Sequence, residues 1–365
     1  MMWRGGIVVV LATLVAGCAH MGEVGYYAQA AHGQFSLLSE ARPIDDWLDD
    51  PGTPEKLKVK LRKVREIRQF AAAELGLPDN DSYKKYADLK RPFVSWNVVA
   101  TPELSMKPTQ WCFPVAGCVN YRGYYDKGDA QSYAQILRAQ GMDVQVAGVP
   151  AYSTLGWFND PILSTFIQYP DGELARLVFH ELAHQVVYAQ DDSQFNESFA
   201  TAVEEVGVER WMAVHGDDRM RQAYVAYEER KRDFLALLLT YRKELENNYA
   251  RAVSDTDKRL QKRVIFQSMQ EEYQQLKKTW GGYAGYDRWF AEPLSNAHLA
   301  SVATYHDFVP AFRALLDQQK TFPRFYAAVQ NLSILDKSVR HRQLARLGKP
   351  APLAAGKVSP ETLLR

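Results

Sequence analysis

The segment His180-Glu181-Leu182-Ala183-His184 constrains the fold of this chain more than any other feature of the sequence. Apolar residues recur at helical spacing from Leu174 to Val186, so the segment is predicted to lie on a helix. A helix puts two histidines four positions apart on one face, one turn from each other. That geometry gives zinc two ligands, and Glu181 projects beside the metal, where it can exchange a proton with water. The sequence therefore predicts a metal-binding helix that carries a general base and acid.

A catalytic zinc site needs a third protein ligand and an open position for water. Shortly after His184, the segment Phe195-Asn196-Glu197-Ser198-Phe199-Ala200 opens a second predicted helix. This segment resembles the Asn-Glu-x-Phe-Ala motif through which zinc aminopeptidases of the gluzincin clan supply their third ligand, a glutamate. The resemblance implies that Glu197 completes a Zn²⁺ site with His180 and His184.

Glu204 is the alternative third ligand. In the gluzincins the ligand lies further from the second histidine than Glu197 does, and Glu204 falls near that distance. The local motif favours Glu197, and the short segment 189–193 can turn the second helix back across the first. We therefore predict Glu197 as the ligand and Glu204, two turns later on the same face, as the residue that orients one of the histidines. Glu204 and Glu205 are also candidates for binding a substrate amine.

The first 18 residues have the composition of a signal peptide. Arg4 supplies the positive start, and residues 7–15 form an apolar stretch that is too short to span a bilayer. The stretch ends at Val15-Ala16-Gly17-Cys18, which resembles the bacterial lipobox; an ordinary secretory signal is the alternative. We predict that a lipid on Cys18 anchors the chain to a membrane of the cell envelope. Ala19 after it favours the periplasmic face of the outer membrane if the cell is Gram-negative.

Cys112 and Cys118 are the two cysteines left after Cys18. In an oxidising compartment, two cysteines that flank a five-residue segment predict a disulfide that closes a loop. A metal site is the alternative, but two thiolates alone rarely hold a metal. We therefore predict a disulfide between them.

Composition limits the kinds of partner that the chain is expected to bind. With 44 basic and 43 acidic side chains, the formal charge is +1, and nothing indicates a nucleic-acid partner. No glycine-rich motif occurs between a predicted strand and a predicted helix, so we expect no nucleotide cofactor. A hydrophobic content of 47% over 365 residues is enough for a core in one or two domains.

The rest of the chain combines long helical patterns with a short β-rich stretch, so the predicted fold class is α+β and predominantly helical. Strands are predicted at 93–99, 144–146 and 166–169, ahead of the motif helix. Two charged helices, Asp217–Asn248 and Asp255–Trp280, predict an antiparallel helical hairpin that projects from the body. The predicted regions are the signal peptide (1–18), an N-terminal helical region (19–90), the sheet and metal-binding helices (91–215), the hairpin (216–281), a C-terminal helical region (282–347) and a loose tail (348–365).

The chain as a whole resembles a family of predicted bacterial zinc aminopeptidases that are lipoproteins. The resemblance implies a zincin-like fold around the HExxH helix, zinc as the metal, and hydrolysis of peptide bonds in a peptide substrate. The segments that carry it are the lipobox, the two metal motifs, the charged hairpin, Trp111–Cys118, Tyr121–Tyr124, Ala151–Phe158, Ser295–Leu299 and Tyr305.

Hydrolysis also needs a group that stabilises the negative charge on the reacting carbonyl oxygen. Gluzincins commonly use a phenol, so the resemblance implies Tyr305 for this role. His306 and His298 are alternatives, and a Tyr305 that only packs against helices is another. Residues 151–158 are candidates for lining the cleft, and Arg122 is a candidate for binding a substrate carboxylate.

These features lead to one main functional hypothesis and two alternatives. The main hypothesis is a zinc metallopeptidase, in particular an aminopeptidase. One alternative is a non-catalytic envelope module that keeps the scaffold and binds a partner through the hairpin. The other is a metalloendopeptidase or amidase that acts on envelope peptides. The sequence does not distinguish an exopeptidase from an endopeptidase.

Overall fold

The computed structural model describes residues 24–113, 117–300 and 308–348. Its fold is α+β and predominantly helical, which confirms the predicted class. Within these ranges the helices are α1 (24–40), α2 (Ile44–Asp49), α3 (Glu55–Ala73), α4 (Lys127–Ala139), α5 (Asp171–Ala183), α6 (Ser193–His215), α7 (Asp218–Ala250), α8 (Asp255–Thr279), α9 (Asp287–Phe290), α10 (Asn296–Ala300), α11 (Val309–Gln319), α12 (Phe322–Ser333) and α13 (Lys337–Leu347). The strands are β1 (Arg42–Pro43), β2 (Lys85–Ala87), β3 (Ser95–Pro102), β4 (Trp111–Phe113), β5 (Gly117–Val119), β6 (Arg122–Tyr124), β7 (Met142–Val149) and β8 (Ile162–Leu163).

Among the described residues, three small sheets lie ahead of α5 in the chain. In the largest, β3 is central and pairs antiparallel with both β6 and β7, so that Val98 lies opposite Arg122 on one side and Val146 on the other. A second sheet has the order β1-β2-β8, with β8 parallel to β2, and the third is the pair β4-β5. The strand predicted at 144–146 is confirmed as part of β7, and the strand predicted at 93–99 is confirmed from Ser95, where β3 begins.

The strand predicted at 166–169 is wrong. The backbone N–H groups of Phe166 and Ile167 both donate to the carbonyl oxygen of Leu163, at 3.2 and 3.1 Å, so the chain turns where β8 ends. Both side chains are buried, which explains the apolar run without a strand. The turn leads the chain directly into α5.

Helix α5 begins one residue earlier than it would if Asp171 were its capping residue. Pro170 is the capping residue, and Asp171 is the first helical residue, with its carboxylate 2.7 Å from the ammonium group of Lys60. The apolar face of α5 is buried in the main hydrophobic core together with residues of α3, α6, α11 and α12. The helix ends at Ala183, so that His184 is its C-cap.

A buried amide turns α6 back against α5. The Asn196 side chain accepts a hydrogen bond from the backbone N–H of Ala189 (2.7 Å) and donates one to the Ala189 carbonyl (2.8 Å). Asp191 between them has a left-handed backbone (φ 60°), and Asp192 caps α6 by accepting from the N–H of Phe195. The connection is therefore tight enough to pack the first turns of α6 beside the last turns of α5.

Helix α13 stabilises the start of α6. The fully buried carboxylate of Asp192 is 2.9 Å from Arg340 and 2.8 Å from His341, both on α13. A buried carboxylate is stable only when such partners compensate the loss of water. The C-terminal helices thereby fix the position of the turn between α5 and α6.

Helices α7 and α8 form the predicted hairpin. Asp217 and Ser254 cap them, and the turn between them lies where the sequence predicted it. The hairpin has a hydrophobic cluster of its own, centred on Leu245, Met269 and Tyr273, and this cluster also contains Met106 and Leu299. The hairpin is thus joined to the body through an apolar contact near α10.

Cys112 and Cys118 face each other across β4 and β5, with their Sγ atoms 2.00 Å apart, at disulfide distance. The backbone N–H of Cys118 donates to the carboxylate of Asp191 at 2.7 Å. The cysteine pair therefore lies against the turn between α5 and α6.

Several predicted features lie outside the described residues: the signal peptide with Cys18, the residues Tyr305 and His306, and the tail from residue 349. They stay predictions, as do the predicted region boundaries. Among the described residues, no helix has both the length and the apolar composition needed to cross a membrane.

We predict that Arg340→Met lowers the free energy of unfolding by about 3 kcal/mol, because it leaves the buried carboxylate of Asp192 with weaker compensation. Urea denaturation followed by circular dichroism would measure the change. Arg342→Met, at an exposed position of the same helix, is the matched control and should change stability by no more than about 0.5 kcal/mol. Equal stabilities for the two variants would contradict this account of the turn.

Candidate metal centre

Three side chains from α5, its C-cap and α6 converge on one point. The Nε2 atoms of His180 and His184 are 3.1 Å apart. The Oε2 atom of Glu197 is 3.3 Å from the first and 3.7 Å from the second. In the part of the chain that the structure describes, these residues form a group that could hold a metal ion.

Glu204 lies on the other side of the His180 ring. Its Oε2 atom is 2.7 Å from Nδ1 of His180, whereas Glu197 contacts Nε2. The seven-residue spacing explains this arrangement, because it places the two glutamates two turns apart on the same face of α6. Glu197 thus faces the shared point, and Glu204 faces the outer nitrogen of the His180 ring.

A charged network surrounds Glu204, whose side chain is only 2% exposed. Arg176 is 3.0 Å from Glu204 and 2.9 Å from Glu173. Lys231, on the first helix of the hairpin, is 3.8 Å from Glu204. Neither cation was among the residues predicted from the sequence. Arg176 precedes His180 by four positions on the same helix face and could have been found by that spacing, whereas Lys231 arrives only through tertiary packing.

The ionisation of the group follows from these contacts. Burial lowers the pKa of His180, but the carboxylates of Glu204 and Glu197 outweigh it and raise that pKa to about 10. Burial raises the pKa of Glu197, but the two histidines outweigh it and hold that pKa well below its usual range. Arg176 and His180 do the same for Glu204. The carboxylates therefore favour a positive charge between them, which is the charge that a metal cation supplies when it displaces a proton.

Glu181 lies on α5, directly after His180 in the sequence. Burial raises the pKa of its carboxyl group, and the neighbouring carboxylates of Glu197 and Glu204 add to the rise, while His180 and His184 oppose it. A carboxyl group with a raised pKa is a stronger base than an exposed one. Glu181 thus has the electrostatic surroundings that proton transfer needs.

Three tyrosines to which no role was assigned from the sequence lie in the electrostatic surroundings of these acids. Burial raises the pKa of Tyr121 and of Tyr188, and for both the Glu197 carboxylate raises it further. Tyr83 is fully buried with a left-handed backbone (φ 64°), and Glu181 contributes to the rise in its pKa. A left-handed conformation is rare for a bulky residue and is often found at functional sites.

The predicted cleft segment 151–158 contacts the chain just after α5. Asp160 is buried and accepts hydrogen bonds from the backbone N–H and the hydroxyl of Thr154 at 2.8 and 3.0 Å, which closes the segment into a loop. Gly156 in this loop lies against the side chain of Gln185, the residue after His184. Trp157 at the end of the loop is 72% exposed. The segment therefore borders the metal-binding turn, on the side of Gln185.

Two other candidates have contacts away from the metal centre. The His298 ring accepts from the backbone N–H of Ser295 (3.1 Å) and packs on Trp289, and burial lowers its pKa to about 4. The guanidinium group of Arg122 lies 4.0 Å from the ring centre of Tyr26 and 5.0 Å from that of Tyr133. Both residues are thus engaged in packing at their present positions.

One family match covers most of the described fold. A family model described as "Putative aminopeptidase" matches residues 25–344. The chain belongs to this family. A search of curated proteins and a search of solved structures each gave no match. The matched range thus contains the residues of the candidate metal centre and of the hairpin.

We predict that substitutions of Glu197 and Glu204 weaken metal binding to different extents. Glu197→Ala should abolish stable metal binding, because it removes an atom that faces the shared point. Glu204→Gln should retain the metal but weaken its affinity roughly 10- to 100-fold, because it only loosens the orientation of His180. Elemental analysis and competition with a chromogenic chelator would measure both. A Glu204 variant without metal, beside a Glu197 variant that retains it, would reverse the assignment.

Proposed function

We propose that the protein is a zinc-dependent peptidase, and an aminopeptidase as its family is described. The observation that carries the proposal is the convergence of His180, His184 and Glu197 next to Glu181. Two imidazoles, a carboxylate and an adjacent acid form the donor set of metalloproteases that use the HExxH motif. The family description supports peptide hydrolysis as the reaction of this donor set.

The distances between the donor atoms support zinc as the metal. Ligands that are about 2.0–2.1 Å from a tetrahedral ion lie about 3.3–3.4 Å from one another. The three distances here, 3.1, 3.3 and 3.7 Å, are close to those values. Two nitrogen atoms and one carboxylate oxygen are also ligands that zinc accepts, and they leave one position open for water.

In the proposed reaction, the metal and the side chains have separate roles. When bound, zinc supplies a Lewis acid that lowers the pKa of a water molecule and polarises the carbonyl group of the substrate. Glu181 accepts the proton of the attacking water and returns it to the leaving amine. Glu204 holds the His180 ring in the orientation in which Nε2 faces the metal. Tyr305 stays our predicted donor to the carbonyl oxygen, and Tyr121, whose pKa is raised by burial and by the Glu197 carboxylate, is a second candidate phenol.

The same arrangement could also serve an endopeptidase or an amidase that acts on envelope peptides. These enzymes differ from an aminopeptidase in whether a free substrate amine is required, since an aminopeptidase recognises that amine with a fixed acid. A non-catalytic binding module is less favoured, because Glu181 and its raised pKa have no role in such a protein. Aminoacyl substrates with free and blocked amines distinguish the two enzymatic alternatives.

We predict that Glu181→Gln lowers kcat by about 10²- to 10⁴-fold, because the amide cannot accept the proton of the attacking water. The metal content should stay at the wild-type value, because Glu181 is not a ligand. Hydrolysis of fluorogenic aminoacyl substrates and of internally quenched peptides would measure turnover, and Glu229→Gln, at an exposed position, is the control. A Glu181→Gln protein with wild-type turnover would refute the mechanism. Zinc binding by the wild type without hydrolysis of any substrate would instead favour the binding module.

A further inference from the structure

One side chain of the first helix of the hairpin contacts Glu204, the carboxylate beside His180. Lys231 lies on α7, and its ammonium group is 3.8 Å from Oε1 of Glu204 and 3.6 Å from Glu228. The Lys231 side chain is 23% exposed, whereas that of Glu204 is 2% exposed. The lysine therefore extends from the partly exposed hairpin to a carboxylate that water does not reach.

Charge balance explains why Glu204 needs this second cation. Arg176 compensates Glu204, but its guanidinium group is shared with Glu173, which is also buried. One positive charge therefore serves two carboxylates that have lost most of their water. A buried carboxylate without sufficient compensation is costly and tends to move or change its partners. Lys231 supplies the positive charge that Arg176 cannot give to both.

Other residues of α7 contact the same network. Burial raises the pKa of Tyr227 and of Tyr224; the Glu173 carboxylate raises both further, and Glu204 adds to the rise for Tyr224. The contacts extend from Tyr224 to Lys231, about two turns of helix. This stretch of α7 thus borders the charged network on the side of Glu173 and Glu204.

We propose that the hairpin is part of the metal centre, with Lys231 as a positioning residue that holds Glu204 against Nδ1 of His180. The proposal deepens the proposed function, because it gives the hairpin a role in setting the metal affinity of the same site. Lys231 contacts neither the metal-binding point nor the substrate. Its effect passes through one carboxylate to one imidazole.

The test measures metal affinity and kinetics on the full chain, in the wild type and in Lys231→Met. Chelator competition should show a zinc affinity that is about 3- to 10-fold weaker, at the lower end of what loss of a contact beyond the ligands costs. At saturating zinc, kcat should fall and KM should stay unchanged, because substrate contacts are not altered. Lys231→Arg, which keeps the positive charge, should restore both affinity and kcat.

Two controls separate this role from a general effect on the hairpin. Lys243→Met removes a lysine from the same helix at a position where the side chain is 70% exposed, and should bind zinc like the wild type. Glu228→Gln removes the other partner of Lys231, and should also leave the affinity unchanged. If Lys231→Met does not fold, Lys231→Gln removes the charge with a side chain that stays polar.

Each remaining outcome decides the question. A Lys231 variant that binds zinc as tightly as the wild type overturns the proposal and leaves the peptidase function intact. An equal loss in Glu228→Gln also overturns it, because the lysine would then act on the fold of α7 and not on Glu204. A wild-type protein that binds no zinc would refute the proposed function itself, and the role of Lys231 with it.

Discussion

The arrangement of this protein depends on two hydrogen bonds between the buried amide of Asn196 and the backbone of Ala189. They close the turn after α5, so that α6 starts beside the end of α5. His180 and His184 come from one side of that turn, and Glu197 from the other. Asp192 within the turn is held by Arg340 and the cysteine pair contacts Asp191, so distant parts of the chain support the same short segment.

Burial of charge is the second constraint, and it links the turn to the hairpin. His180 lies between two carboxylates, one at each ring nitrogen, and this fixes which nitrogen faces the candidate metal position. The outer carboxylate, Glu204, is stable in the interior because Arg176 and Lys231 compensate it. Burial in the same region raises the pKa of Glu181, which suits proton transfer. Four helices, α5, α6, α7 and α13, thus contribute residues that form or support the candidate centre.

Much of this centre could be predicted from the sequence because its spacings are local. Four positions on a helix bring His180 and His184 together, and seven positions place Glu197 and Glu204 on one face. The hairpin was predictable for the same reason. Lys231 was not, because no local spacing connects it to Glu204. The strand predicted at 166–169 failed because an apolar run near Phe166 reports burial, and burial does not distinguish a strand from a turn.

The most direct test of the central claim is a crystal structure of zinc-treated protein with diffraction data above and below the zinc absorption edge. The account predicts one anomalous peak about 2.0–2.1 Å from Nε2 of His180, Nε2 of His184 and a carboxylate oxygen of Glu197, with Glu204 still at Nδ1 of His180. A peak that is ligated by Glu204 would contradict the assignment of the two glutamates. No peak at this position would contradict the claim that these residues form a zinc site.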